Sequence, residues 1–408
     1  MSDPILPLLV LIVVALLALG AAARFIARAS RQAIGLAGAG LSGLGFMLTL
    51  LALIVGQEPG TLVLPFGLPG FSLALSFDPL AAFFLLPAFL TGTASIAFAA
   101  EIADSSPKAS LSGLSLCIAG VVLAILAADG VTLVLGLALA GGAVWASGDP
   151  SPARTPLLGV TALSVLAVLG ATAASGFAFA AMRERLDYPT ALFVLALIGP
   201  GALAGLVPFH RWSIPAHRAS PARAAALLSG MVKPLALYLL VRLLLDLGAP
   251  ASAGWWGIVL LAMGSATVVT GGWRAASEAE VGACLAGLAE SQSGVAAIGI
   301  GLALLGRASD LPVLASLGLR GRVPAAGHVV DATSTARRPF VPAATCARRS
   351  AGLPASAGVS TPFPHPRPAP PPSLRSPRRE RGAHRALATH PEKTHCFSPF
   401  PPRGKGRG

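Results

Sequence analysis

Four side chains able to exchange protons, His210, His217, Lys233 and Glu290, lie in or beside long apolar runs. Ionisable groups at membrane depth are costly enough that they mark ion or proton paths. Three of the four fall within Gly199–Arg242, GPGALAGLVPFHRWSIPAHRASPARAAALLSGMVKPLALYLLVR, a segment also carrying Pro200, Pro208, Pro215, Pro221 and Pro234. Irregular backbone inside a bilayer persists only where protein or water satisfies the freed N–H and C=O groups. The combination predicts a relay built around a broken helix. Structural roles compete with that chemistry: His210 and His217 as hydrogen-bonding groups that shape a loop, Lys233 as a residue snorkelling to the interface, and Glu290 with Gln292 as a helix–helix hydrogen bond. Two histidines seven residues apart with no third ligand make poor metal spacing.

The elements that must position these groups are transmembrane helices. The chain is 54% hydrophobic and 12% charged, with a mean hydropathy of +0.74, whereas soluble domains carry about a quarter charged residues. Runs long enough to cross about 30 Å of hydrocarbon lie near 4–25, 33–56, 79–100, 110–128, 130–147, 156–182, 190–207, 223–247, 253–271 and 281–306. The expected fold is therefore all-α, a polytopic bundle of about ten helices with a broken seventh. No basic stretch precedes the first run and a second follows at once, so it reads as a retained helix rather than a cleaved leader. Arg24, Arg28, Arg31, Lys108, Arg154, Arg211, Arg218, Arg223 and Arg274 follow odd-numbered spans, whereas the loop from Gln57 to Phe77 has no Lys or Arg. The positive-inside tendency places the N-terminus outside, with Arg183 and Arg185 running against it.

The order Pro208, His210, Trp212, Pro215, Ala216, His217, then Ser229, Gly230, Tyr238 and Arg242 resembles the central signature of the antiporter-like membrane subunits of respiratory complex I, Mrp antiporters and group 4 hydrogenases, most closely hydrogenase-4 component B. DPLAAFFLL from Asp78 and IGIGLALLG from Ile298 are weaker echoes. The resemblance spans residues 1 to 319. It implies a bacterial inner (plasma) membrane location, the same outside N-terminus, and partners among the membrane and peripheral subunits of a respiratory or hydrogenase complex, with the lipid bilayer around it. It also implies a function: a membrane subunit of a proton-translocating NADH-quinone oxidoreductase-like or hydrogenase-4-like assembly.

The resembled family places a glutamate in its fifth helix and a lysine in the broken seventh, where this chain aligns Ala138 and Leu203. Lys233 falls one position before the family's eighth-helix lysine, with Pro234 at the aligned site, and one position is a rotation of about 100° on a helix. Glu280 stands at an aspartate position, with Gly282 and Gly287 at the lysine and tyrosine positions of the same segment. A non-conducting structural relative and a non-functional truncated fragment therefore stand beside the proton-translocating reading. A cation/proton antiporter is disfavoured by the scarcity of core carboxylates to coordinate sodium. Asp78, ahead of Pro79, reads better as a helix cap than as a proton donor.

Beyond Leu319 the composition changes. From Arg320 to Gly408 there are 16 basic and three acidic residues, a net +13 that equals the charge of the whole chain. This Pro/Arg-rich stretch has too few apolar residues to bury a core and is expected to be disordered. The division is thus an antiporter-like transmembrane domain over 1–319, incomplete at its C-terminal end, and a tail over 320–408 that reads best as frameshift-derived, ahead of a genuine lipid-binding tail; a nucleic-acid partner is not expected. Cys117, Cys284, Cys346 and Cys396 form no C-x-x-C pair, and no phosphate loop, dinucleotide fingerprint or nucleophile elbow occurs. No cofactor or redox centre is expected in the chain, so electron transfer in any such assembly belongs to other subunits.

Overall fold

The computed structural model describes residues 5–23, 31–56, 60–68, 71–101, 111–147, 151–173, 176–184, 188–247 and 254–309. The tail from 320 onward lies outside the described residues. Helices α1 (Ile5–Ala22) and α2 (Arg31–Val55) precede an antiparallel hairpin, β1 (Gly60–Leu68) and β2 (Phe71–Phe77). Then come α3 (Pro79–Glu101), α4 (Leu111–Leu126), α5 (Gly130–Ala146), α6 (Thr155–Ala173) and the short α7 (Phe179–Glu184). The segments α8 (Pro189–Ala196), α9 (Ala202–Ala204) and α10 (Ser213–Arg218) make up the seventh span and its exit. The eighth span is α11 (Ala222–Leu227) continued by α12 (Lys233–Val241), and α13 (Gly254–Ser277) and α14 (Val281–Ala308) follow.

Eight of these helical stretches are long and apolar enough to cross a membrane, and α4 and α5 are shorter apolar helices of 16 and 17 residues. The molecule is a multi-pass membrane protein. Two sequence expectations shift. The sixth span, read as 156–182, ends at Ala173, where Gly176 and Phe177 both take positive φ and turn the chain into α7. The loop at 57–77 contains the hairpin, pinned by Asp129: one carboxylate oxygen accepts from Ala74 N at 2.8 Å and the other caps α5 by accepting from Thr132 N at 2.7 Å.

The contact that places the last two helices is backbone against backbone. Gly257, Gly264 and Gly271 on α13 recur every seven residues and meet Gly301, Gly294 and Gly287 on α14. A Cβ added to any of the three on α13 would lie 2.6–2.8 Å from a carbonyl oxygen of α14. Lipid gives helices no hydrophobic reason to associate, so such close approach of small residues is what holds them together. It sets α14, and therefore Glu290, against α13.

Candidate functional site

The seventh span, expected over 190–207, is broken inside that range. After α8 the helix widens into a π turn, Leu197–Gly201, containing Pro200, which has no N–H to continue the ladder. Four residues after that turn Gly205 ends α9 at φ 82°, a conformation that costs a glycine nothing. The polar groups of the break find partners: Trp212 Nε1 donates to Ala202 O at 2.8 Å, Leu206 N to Gly201 O at 3.0 Å, and Val207 N to Thr267 Oγ1 on α13 at 2.9 Å. Trp212 thus closes a carbonyl of the break, while Pro208, entered through a cis peptide bond, and Pro215 face outward.

Lys233 and Glu290 meet at this break. A Cβ on Gly205 would sit 3.8 Å from both Glu290 Cγ and Lys233 Nζ. Lys233 is 1% exposed, whereas Pro234 beside it is half-buried, so the lysine is the inward-facing residue. A second π turn, Leu228–Val232, immediately precedes it and resets the register of the helix. Among the described residues, neither Lys233 Nζ nor either oxygen of the fully buried Glu290 has a hydrogen-bond partner. The cation paired with Glu290 is Arg274, with Nη1 3.6 Å from Oε2.

His217 joins the cluster from α10. It is 4% exposed, its Nδ1 is 2.8 Å from Ser213 O, and Nε2 is buried without a partner. Because a carbonyl can only accept, Nδ1 carries the hydrogen, and Nε2 is left to take or release a proton. His210 lies apart, half-buried near the charge of Arg274. The structure therefore brings Lys233, Glu290 and His217 together and leaves His210 at the periphery. Ser213 and Arg274 were not singled out from sequence. A carboxylate, an ammonium and an imidazole in a dry site can exchange a proton as their separations change. Among the described residues no group of three or more His, Cys, Asp or Glu side chains could hold a metal ion.

The other signature residues form a second cluster. Arg242, 3% exposed, holds Asp78 through Nη1 at 2.5 Å and Asp246 at 2.8 Å, with its guanidinium 6.0 Å from the centre of the Tyr238 ring. Tyr238 donates to Ile125 O at 2.7 Å. Asp78 also caps α3, accepting from Ala81 N at 2.7 Å, so it serves as cap and counter-ion at once. Leu203, where the family's lysine aligns, is buried in α9, and Ala138, where the family's glutamate aligns, faces outward from α5.

Residues 161–309, which contain the break, both clusters' basic residues and Glu290, match the family described as NADH:quinone oxidoreductase/Mrp antiporter, transmembrane. This stretch is similar to the antiporter-like membrane subunits. Hydrogenase-4 component B of Escherichia coli (strain K12) is 33% identical over 133 residues, covering 32% of this chain and 20% of the relative. Formate hydrogenlyase subunit 3 of the same organism is 37% identical over 138 residues, covering 34% and 22%. The match thus spans about a fifth of the length of these two relatives. A chain from the membrane-bound sulfane sulfur reductase, an archaeal respiratory membrane complex, superposes with a TM-score of 0.64 at 23% identity, over 81% of this chain and 57% of that one. That likeness establishes a shared fold.

Proposed function

We propose that the chain is a membrane subunit of a proton-translocating oxidoreductase assembly of the hydrogenase-4 or NADH:quinone oxidoreductase type, sited in a bacterial inner membrane with its N-terminus outside. Lys233, Glu290 and His217 form its proton-exchanging cluster, and other subunits carry the redox chemistry. The observation that supports the reading is the meeting of Lys233 and Glu290 at the Gly205 break, with no hydrogen bond to either among the described residues and only the 3.6 Å contact of Arg274 on the carboxylate. Buried charges are ordinarily hydrogen-bonded and paired, so two that are so weakly held are suited to giving up and regaining a proton. The orientation is supported by Arg211, Arg218, Arg223 and Arg274, which all lie on the exit side of the break. In an assembly reconstituted into vesicles, Lys233→Ala and Glu290→Gln are each expected to abolish proton uptake while electron transfer continues; uptake that survives both substitutions excludes the reading.

A second reading, a non-conducting structural relative, is favoured by Ala138 and Leu203, which leave neither of the family's aligned positions able to titrate. It predicts that the same two substitutions leave proton uptake untouched and that removing the whole subunit prevents assembly.

A further inference from the structure

Glu290 has two basic neighbours on different helices, and they differ in what they can reach. Lys233 on α12 is sealed in the core, whereas Arg274 on α13 is 33% exposed. Arg274 thus touches both the buried carboxylate and the surface. Its reach follows from local geometry. Helical side chains lean toward the N-terminus of their own helix and cover the turn before them, and the turn before Arg274 holds Gly271, where a Cβ would come within 3.1 Å of Glu290 Cβ. The missing side chain lets α14 come close enough at this turn for Arg274 to reach Glu290.

The surroundings mark this as the surface mouth of the site. Arg218, at the end of α10, is paired with Glu278 at 2.5 Å and Glu280 at 2.9 Å across the turn between α13 and α14. Glu278 N also bonds Arg274 O at 3.0 Å, which fixes the end of α13 under this clasp. His210 completes the rim, with its Nδ1 buried and without a partner. The groups facing Glu290 are therefore Lys233 from α12, Arg274 from α13 and Ser213 from α10, with His217 beside Lys233.

We propose that Arg274 is the gate of this site: a positioning residue whose guanidinium closes the passage between the aqueous surface and Glu290 and, by swinging out to solvent, lets Lys233 become the carboxylate's sole cation. The closed state is the one seen here. A contact of 3.6 Å made through one nitrogen lacks the two-point grip that makes arginine–carboxylate pairs strong, so it can open without breaking a hydrogen bond. This role rests on the proposed proton-exchanging function of Glu290, but its test does not use transport.

The experiment is carboxyl labelling of the full chain in lipid nanodiscs with a water-soluble carbodiimide and an amine, quantified by mass spectrometry on the peptides carrying Glu290 and Glu280. Glu280, 57% exposed, is the internal standard. In the wild type Glu290 is expected to react far more slowly than Glu280. Arg274→Gln is expected to raise the rate at Glu290 by about tenfold, as for a local opening, to move the pH dependence of that reaction, and to leave Glu280 unchanged; Arg274→Lys, which restores one charged donor, is expected to return protection. Should the Gln variant not fold, phenylglyoxal modification of Arg274 in folded wild-type protein, scored on its own peptide, provides the same comparison. Equal labelling of Glu290 and Glu280 in the wild type, or a Glu290 that stays unreactive once Arg274 is neutralised, overturns the gate. A gate that behaves as expected in a protein whose assembly moves no protons overturns the transport reading instead.

Discussion

Lys233 and Arg242 stand nine residues apart in the same helical span, both cationic and both almost fully buried, yet they live in opposite conditions. Arg242 is held by two carboxylates and lies beside an aromatic ring, whereas Lys233 Nζ has no hydrogen bond among the described residues. Burying a charge costs several kcal/mol unless partners compensate. Arg242 is compensated on the spot, so it fastens α3 to the end of α12 and stays charged. Lys233 keeps much of that cost, and a group in this state changes protonation when its neighbours move. One span thus carries a rivet and a titrating group, distinguished by their partners alone.

The comparison breaks most visibly at the rivet. Arg242→Ala leaves Asp78 and Asp246 facing each other without their cation and is expected to cost about 3–5 kcal/mol, read as loss of folded protein from the membrane and a collapse of the melting temperature in detergent. Lys233→Met, of similar volume and uncharged, is expected to do the reverse: the melting temperature holds or rises, because the substitution removes a buried charge that has no hydrogen bond, while proton uptake is lost. Should Lys233→Met destabilise as much as Arg242→Ala, the two sites are alike and the contrast is void. Tyr238→Phe sharpens the picture of the rivet by leaving Ile125 O without its donor, at about 1–3 kcal/mol, with proton uptake unchanged. The smallest effect on uptake is expected from Ala138→Glu: on an outward face of α5 the new carboxylate lowers the melting temperature, as an ionisable group at membrane depth does, and should leave uptake within error.

Much of this was legible in sequence because the membrane imposes a strong rule on composition. Eight of the ten spans end within a few residues of the observed helices, since each needs a long apolar run to cross; the sixth ends earlier, at Ala173, and the ninth later, at Ser277. The broken seventh was legible too, from Pro200, Gly205 and the Trp212 signature, although the partner of Trp212, Ala202 O, is a matter of tertiary geometry. The hairpin has a weaker signature: FSLALSF, Phe71 to Phe77, alternates large and small residues in the manner of a strand, but it is far shorter than the membrane-length runs around it. Lys233 was ambiguous because a π turn has no sequence signature, and a one-position offset cannot be resolved without knowing how many residues each turn holds. Arg274 and Arg154 were read only as charges that orient the chain. The structure buries Arg154 against Val144 O at 2.6 Å and extends Arg274 to Glu290, contacts set by helix packing rather than by local pattern. Arg274 left one trace in the sequence, the glycine one turn before it.

The π turn at Leu228–Val232 also bears on how this protein tolerates change in its gene. Such a turn accommodates one residue more than an α-helical turn, so it is the natural place for a single-codon deletion to be absorbed without severing the helix. Because Arg242 fastens the far end of α12 to α3, the slack would be taken up on the other side, rotating α11 by about 100° relative to α12 and turning the chain that leads back to His217 away from Lys233. The lineage could therefore disconnect the titrating cluster in one step while keeping every charged residue and a continuous helix, a loss that an inventory of its residues would never reveal.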